Sequence, residues 1–516
     1  LRRSDRYSRC MASTEEARPT VVDGDTATFE SLNPASGAVV ATFPIDRDVA
    51  VRFAVERARI ASEWWQSIGF DGRARHLASF KGELARRISE LADLIHEENG
   101  KPHADAVLEI TLVIDHISWA AGHARKVLAP RPVFPGLLAL NNSASVEYQP
   151  LGVIGVIGPW NYPVFTPAGS IVYALAAGNA VVFKPSEYTP AIGKWLVDAW
   201  ATAVPRGRDL FTLVTGLGDT GAALCRSGVD KIAFTGSART ARKVMAACAE
   251  NLIPVLMECG GKDALIVDDG ADLEAAADAA LWSGMSNGGQ TCIGTERVYA
   301  TEAVYDRFVS ILTEKATKLH PGSERNAAWG PPTMPSQMEV IRRHVGDALD
   351  HGGRAVVGGV DTVKATGVDP TILVGVPEDS SAVTEETFGP TLTVAKVRDA
   401  EEALTLANAS GYGLGGAVFA RSRQRGIELA RRMRSGMVSV NSVLTFAFIP
   451  GLPFGGVGES GFGRIHGPDG LREFSRAKSI TAQRFALPVN LTSFNRPAKA
   501  TDVLAKVMKL IHGRTN

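Results

Sequence analysis

Cys292 stands in NGGQTCIG, residues 287–294, where small side chains would let a carbonyl carbon and a backbone N–H approach one sulfur. A thiolate in such a place can add to a carbonyl and form a covalent intermediate. Upstream, MECGGK sets Glu258 after an apolar run and before two glycines, a carboxylate able to take a proton from water. PWNYP sets Asn161 between aromatics and prolines, an amide that can donate to a developing oxyanion. Taken singly, the three read as a packed thiol, a solvated loop acid and a turn former.

Other segments suit a phosphate- and ribose-bearing ligand. AVVFKPSE places Lys184 and Glu187 just past a strand end, a donor and an acceptor for vicinal hydroxyls. FTGS places Gly236 and Ser237 at a helix start, where unpaired N–H groups and the helix dipole favour phosphate. GLGDTG, Gly216 to Gly221, matches GxGxxG after a strand and before a helix, yet the next strand ends KIAFTGSART, without the acid that a standard Rossmann site requires. GVGESG, Gly456 to Gly461, matches too with no strand–helix frame, so the pattern is cheap in a chain with 52 glycines.

These residues need elements to hold them. Residues 47–66 and 72–99 carry the helical period, the second stopped by Gly100 and Pro102. From residue 145, VIGVIG, AVVFK, LFTLV, KIAF and PVLME are short, nearly continuous apolar runs, with helical stretches at 167–177, 190–203 and 238–250. Buried parallel strands with crossover helices have this signature. A second alternating series runs from ALIVDD through a helix in the 270s and 280s, with Cys292 at the C-terminal end of that helix-like stretch, to RVYA, a helix near 303–318, AVVGG, VFA and MVSV. The fold class is therefore α/β with two open parallel sheets, the break falling at 258–262.

The bulk composition narrows the partners. Lys plus Arg and Asp plus Glu balance at 55 each over 516 residues, so no net field points to nucleic acid, and a small molecule is expected. Five cysteines without CxxC spacing argue against a disulfide framework and a zinc site, and no HExxH occurs, so no metal is expected. A reducing, cytoplasmic compartment fits. Residues 1–27 contain no apolar signal core and are expected to be an extension without order, with Met11 the expected start. No apolar run approaches the roughly 20 residues of a membrane span. The tail from Thr501 is expected to form a short basic amphipathic helix for surface docking rather than membrane anchoring.

The motifs PWNYP, FKPSE, FTGS, MECGGK, GGQTC, EETFGP and PFGGVGESGFGR, in this order, resemble the aldehyde dehydrogenase superfamily from about residue 28 to about 485. The resemblance implies Cys292 as nucleophile, Glu258 as general base and Asn161, with the Cys292 N–H, as oxyanion donor. Lys184, Ser186 and Glu187 would hold the adenosine ribose, and Gly218, Gly236 and Ser237 the pyrophosphate. Glu386 and Phe388 of EETFGP would hold the nicotinamide ribose, and Pro159 and Trp160 would lie along the cofactor. Tyr162 and Phe454 would line the substrate pocket. The cofactor expected is NAD, because Glu187 would repel a 2′-phosphate, with NADP as the alternative.

The same resemblance implies a Rossmann-like cofactor domain from 28–129 and 151–258, a catalytic domain at 259–450, oligomerisation strands at 130–150 and 475–490, a tail at 491–516 and a homodimer or homotetramer. Three positions depart from the commoner pattern: Cys259 for Leu, Ala241 for Gly and Gly294 for Ala, the last expected to widen the pocket floor. Succinate semialdehyde enzymes carry Arg six residues before the nucleophile, and here that residue is Ser286. The expected substrate is thus an apolar or aromatic aldehyde, oxidised to the acid through a thioester. A succinate-semialdehyde-type enzyme and a CoA-acylating or other cysteine acyl-transfer enzyme stay open.

Overall fold

The computed structural model describes residues 21–22, 27–364 and 367–513, so most of the expected extension, and Met11 with it, lies outside the described residues. The chain clusters into two compact units, one made of the segments up to 127 and 150–475, the other of 128–149 and 476–516.

The first unit begins with a small antiparallel sheet of Val21–Val22, Thr28–Leu32 and Val39–Pro44, followed by a helical layer: α1 (Asp48–Ser67), α2 (Gly69–Arg86), α3 (Ile88–Asn99) and α4, which begins at His103. The helix expected over 72–99 is in fact two, because Arg87 adopts φ −110° and ψ 23°. Buried Leu77, Phe80, Leu84, Leu91 and Ile95 keep the helical spacing across the joint, so the period conceals the break. α3 stops at Gly100, whose φ of 83° suits a residue without Cβ and directs its N–H to the His96 carbonyl.

Two sheets follow. The first contains β1 (Val153–Ile157), β2 (Ala180–Lys184), β3 (Phe211–Leu213), β4 (Lys231–Thr235) and β5 (Val255–Glu258), in the parallel order β5-β4-β1-β2-β3. The two-residue strand Gly461–Phe462 closes its β5 edge antiparallel. Every residue of β1 and β2 is buried, which explains their unbroken apolar character. Their crossovers are α5 (Phe165–Ala177), α6 (Pro190–Ala203), α7 (Gly218–Arg226) and α8 (Ala238–Ala249).

The second sheet is seven-stranded. Its centre is β6 (Asp263–Val267) and β7 (Thr295–Thr301), which are parallel neighbours separated in sequence by α9 (Leu273–Met285). Alternate β6 residues face opposite layers: Leu265 and Val267 pack with α9, whereas Ala264 and Ile266 pack against Leu404 and Leu429. Each such fully buried Leu, Ile or Val contributes about 1.5–3 kcal/mol of transfer free energy. The strand Arg354–Val357 is the one antiparallel member of this sheet.

The second unit contains a three-stranded sheet of Arg131–Val133, Asn142–Pro150 and Ser475–Gln483, with Asn142–Pro150 in the middle. It ends in a helix, Ala498–His512, none of whose side chains is buried.

Candidate active site

Asn161 and Glu258 sit where the chain leaves strand ends, and Cys292 in a turn that leads into a strand. Beyond β1 come Pro159, Trp160, Asn161 and Tyr162, with Asn161 buried. Glu258 closes β5 and is followed by Cys259, Gly260 and Gly261 before β6 begins. Cys292 lies not on a helix end, as the sequence suggested, but seven residues beyond the end of α9 in a tight turn leading to β7. That turn requires left-handed backbone at Asn287 (φ 54°) and Gly288 (φ 65°), so the helical pattern cannot run on to the cysteine.

Hydrogen bonds join these turns. Asn161 Nδ2 donates to the Gln290 carbonyl at 2.9 Å, and Asn287 Nδ2 donates to the Asn161 carbonyl at 3.0 Å. The Tyr162 hydroxyl pairs with Thr291 Oγ1 at 3.1 Å, one residue before the thiol. Beneath them is a buried ion pair that sequence reading missed: Lys101 with Glu109, in which Lys101 Nζ also donates to the Asn161 carbonyl at 3.0 Å. Glu109 Oε1 in turn accepts the N–H groups of Val164 and Phe165. ENGKP, residues 98–102, was the available signal, because it carries a lysine straight into a helix junction.

Carboxylates crowd the thiol. A methyl group on Gly260 would stand 2.1 Å from Glu386 Oε1, one on Gly261 would stand 2.5 Å from the Cys292 carbonyl oxygen, and one on Gly455 would stand 2.8 Å from Glu258 Oε1. The glycines are therefore required for close approach, whatever their backbone angles. Both Glu258 carboxylate oxygens are buried without a hydrogen-bond partner, and burial raises its pKa well above the usual range, with Arg464 partly offsetting this. Burial likewise lifts Glu386 to about 8 and Asp263 to about 7. The half-buried Cys292 thiol is pushed up by desolvation and then by Glu386, Asp263 and Glu258.

The Glu386–Phe388 loop is held by another carboxylate. Glu296 on β7 accepts from Lys262 Nζ, from Thr387 N and from Phe388 N, while Glu386 accepts from Gly261 N at 3.0 Å. Phe388 has φ 52° and meets the Trp160 ring edge-on at 5.5 Å. Phe454 is buried, paired through its backbone with Ile465, with its ring 6.5 Å from Phe446 and 5.4 Å from His466. Behind it His116 and His466 lie 4.0 Å apart, and burial lowers the pKa of both, that of His116 to about 4.

A dinucleotide fits the first sheet. β1 leads to β2 on one side and has β4 on the other, so the order reverses at β1, and ligands of open α/β sheets bind at the carboxyl ends beside such a reversal. Lys184, at the end of β2, is buried with its Nζ 3.1 Å from the Pro185 carbonyl and 3.9 Å from Glu187, leaving donor capacity for a ligand. Ser186 Oγ donates to Glu187 at 3.3 Å. Past β4, Gly236 precedes Ser237, which caps α8 by accepting from Thr240 N. Gly218 is the first residue of α7, and a methyl at Gly221 would touch the Lys184 stem at 3.6 Å. The second glycine match, Gly456–Gly461, forms a 3₁₀ turn and the edge strand instead of a helix start.

Gly294 does not widen the pocket floor. A methyl there would stand 2.8 Å from the Thr291 carbonyl oxygen and 3.1 Å from that of Ser283, so it accommodates backbone. Among the described residues no group of three His, Cys, Asp or Glu side chains is placed to hold a metal ion.

The two open, mostly parallel sheets with their crossover helices make this an α/β protein. The family model described as "Aldehyde dehydrogenase family" matches residues 21–480, and the chain belongs to that family. It is 34% identical over 489 residues to a 4,4'-diapolycopene aldehyde oxidase of Methylomonas sp, covering 94% of this chain and 92% of the relative. It is 33% identical to a putative NADP(+) succinate-semialdehyde dehydrogenase of Mycobacterium ulcerans, covering 87% of each. The NAD-dependent aldehyde dehydrogenase of Sinorhizobium meliloti superposes with a TM-score of 0.85 at 32% identity, covering 90% of this chain and 93% of that one.

Proposed function

We propose that this enzyme oxidises an apolar aldehyde to its carboxylic acid with NAD, through a thioester on Cys292. The observation that carries the reading is the convergence on one turn of a thiol, an unpaired buried carboxylate and an amide already tethered beside it. Glu258, once ionised, accepts the thiol proton, and the sulfur adds to the aldehyde carbon. Asn161 has a second N–H beyond the one given to Gln290, and it supports the oxyanion.

The nicotinamide, when bound, supplies the hydride acceptor, and Lys184, Glu187, Gly236, Ser237, Glu386 and Phe388 are the residues to hold the dinucleotide. Loss of hydride from the thiohemiacetal carbon leaves an acyl group on Cys292. Glu258, after passing the thiol proton to solvent, takes a proton from water, whose attack releases the acid and the thiolate.

Phe446 and Phe454 support an apolar substrate. Ser286 supports it as well, a neutral hydroxyl where a distal carboxylate would want a cation. The semialdehyde name of the Mycobacterium relative favours the second reading. NADH and NADPH formation over aliphatic, aromatic and carboxylated aldehydes, with Cys292→Ser alongside, tests both. Turnover lost in the variant is the expected result. Reduction of neither cofactor, with CoA-dependent acyl transfer or ester hydrolysis instead, would overturn the dehydrogenase reading.

A further inference from the structure

The tail beyond Arg484 plays no part in the chemistry above. From Arg484 on there are six Lys and Arg, at 484, 496, 499, 506, 509 and 514, against Asp502 alone, in a chain whose total formal charge is zero. Its helix, Ala498–His512, separates its residues by kind. Val503, Val507, Leu510 and Ile511 follow i, i+4, i+7, i+8 spacing and share one face, and they are 59, 40, 73 and 47% exposed. Lys506 and Lys509 lie to one side of that face together with Asp502, and Lys499, one turn before Val503, borders the face itself. The segment leading to the helix also exposes Phe485, Leu487, Val489 and Phe494, the last fully.

We propose that this tail docks on an anionic lipid surface. An apolar face bordered by three lysines, with Asp502 the one opposing charge, complements a negatively charged lipid–water interface, where the side chains enter the acyl boundary and the lysines meet head groups. A second copy of the tail is the poorer occupant, because two such faces would bring like charges together. The helix has 15 residues, and no helix among the described residues is long and apolar enough to cross a membrane, so it lies along the surface.

Flotation of the full chain with vesicles tests this, using phosphatidylcholine alone and phosphatidylcholine mixed with phosphatidylglycerol, at low and high salt. The wild type is expected to float with the mixed vesicles at low salt and to be released by high salt. Lys506→Glu with Lys509→Glu, and separately Val503→Asp with Ile511→Asp, are expected to weaken that binding by about tenfold or more. Both pairs are exposed, so unchanged thermal unfolding shows that the fold is intact. Absence of wild-type flotation, or equal flotation of the charge-reversed variant, overturns the proposal. If the apolar variant floats like wild type but changes the mass seen by light scattering, the face belongs to a copy interface and the proposal fails.

Discussion

Asn161 gives one amide hydrogen to the carbonyl oxygen of Gln290 at 2.9 Å, so the turn beyond β1 and the turn bearing the thiol are held at a fixed separation. Because Gln290 precedes Cys292 by two residues, the second amide hydrogen is oriented before substrate arrives. Preorganised donors of this kind supply a large share of oxyanion stabilisation.

Replacing Asn161 with Ala should therefore lower kcat by about 10²- to 10³-fold while changing KM little, because the lost interaction forms only as the oxyanion forms. Steady-state kinetics on the best aldehyde of the panel measures this. A loss confined to KM would contradict the role.

The raised carboxyl groups set two opposite pH trends. Glu258 must be ionised to accept a proton, and its folded pKa lies well above the usual range, so kcat should rise with pH through that value. Stability runs the other way. An unfolded carboxyl ionises near 4, while folded Asp263 and Glu386 keep their protons to about 7 and about 8. Between these limits the folded state binds more protons than the unfolded one, so stability falls as pH rises from about 4 toward about 8. Urea midpoints across that range should show the fall, and Glu386→Gln should make it shallower.

Lys101 and Glu109 form a pair with no exposed side-chain surface. Lys101→Met leaves Glu109 as an unpaired buried charge and should cost about 3–5 kcal/mol of stability. Urea denaturation reads that loss. The surviving folded fraction should also show lowered kcat, because the Asn161 carbonyl loses a donor that fixes it.

Glu187 is partly exposed and lies 3.9 Å from Lys184. Glu187→Arg replaces a repulsive charge with an attractive one for a 2′-phosphate and should shift the NADP-to-NAD ratio of kcat/KM upward by about tenfold or more. An unchanged ratio would place the ribose elsewhere.

Much of this molecule was legible in its residue order, because strands buried on both faces write themselves as runs such as AVVFK and VIGVI. Cys292, Glu258 and Asn161 did not stand out singly, where each reads as a packed thiol, a loop acid or a turn former, and only the order of the seven motifs singled them out. The break at Arg87 was not, since the apolar spacing passes through it unaltered. Nor was the Lys101–Glu109 pair, whose partners meet only after the chain turns between α3 and α4. The thiol's exact setting was misjudged because positive φ at Asn287 is invisible in a pattern of hydrophobicity.

Glu296 offers a last point. By accepting at once from Lys262, Thr387 and Phe388, it binds the strand that follows Cys292 to the Glu386–Phe388 loop. Thiol turn and loop are thus one mechanical part, and an alteration on either side is transmitted to the other. On the proposed reading, in which Phe454 lines the pocket, new aldehydes are accommodated most cheaply among the aromatics beside it, so selection or a protein engineer can retune what enters while the tie through Glu296 stays intact.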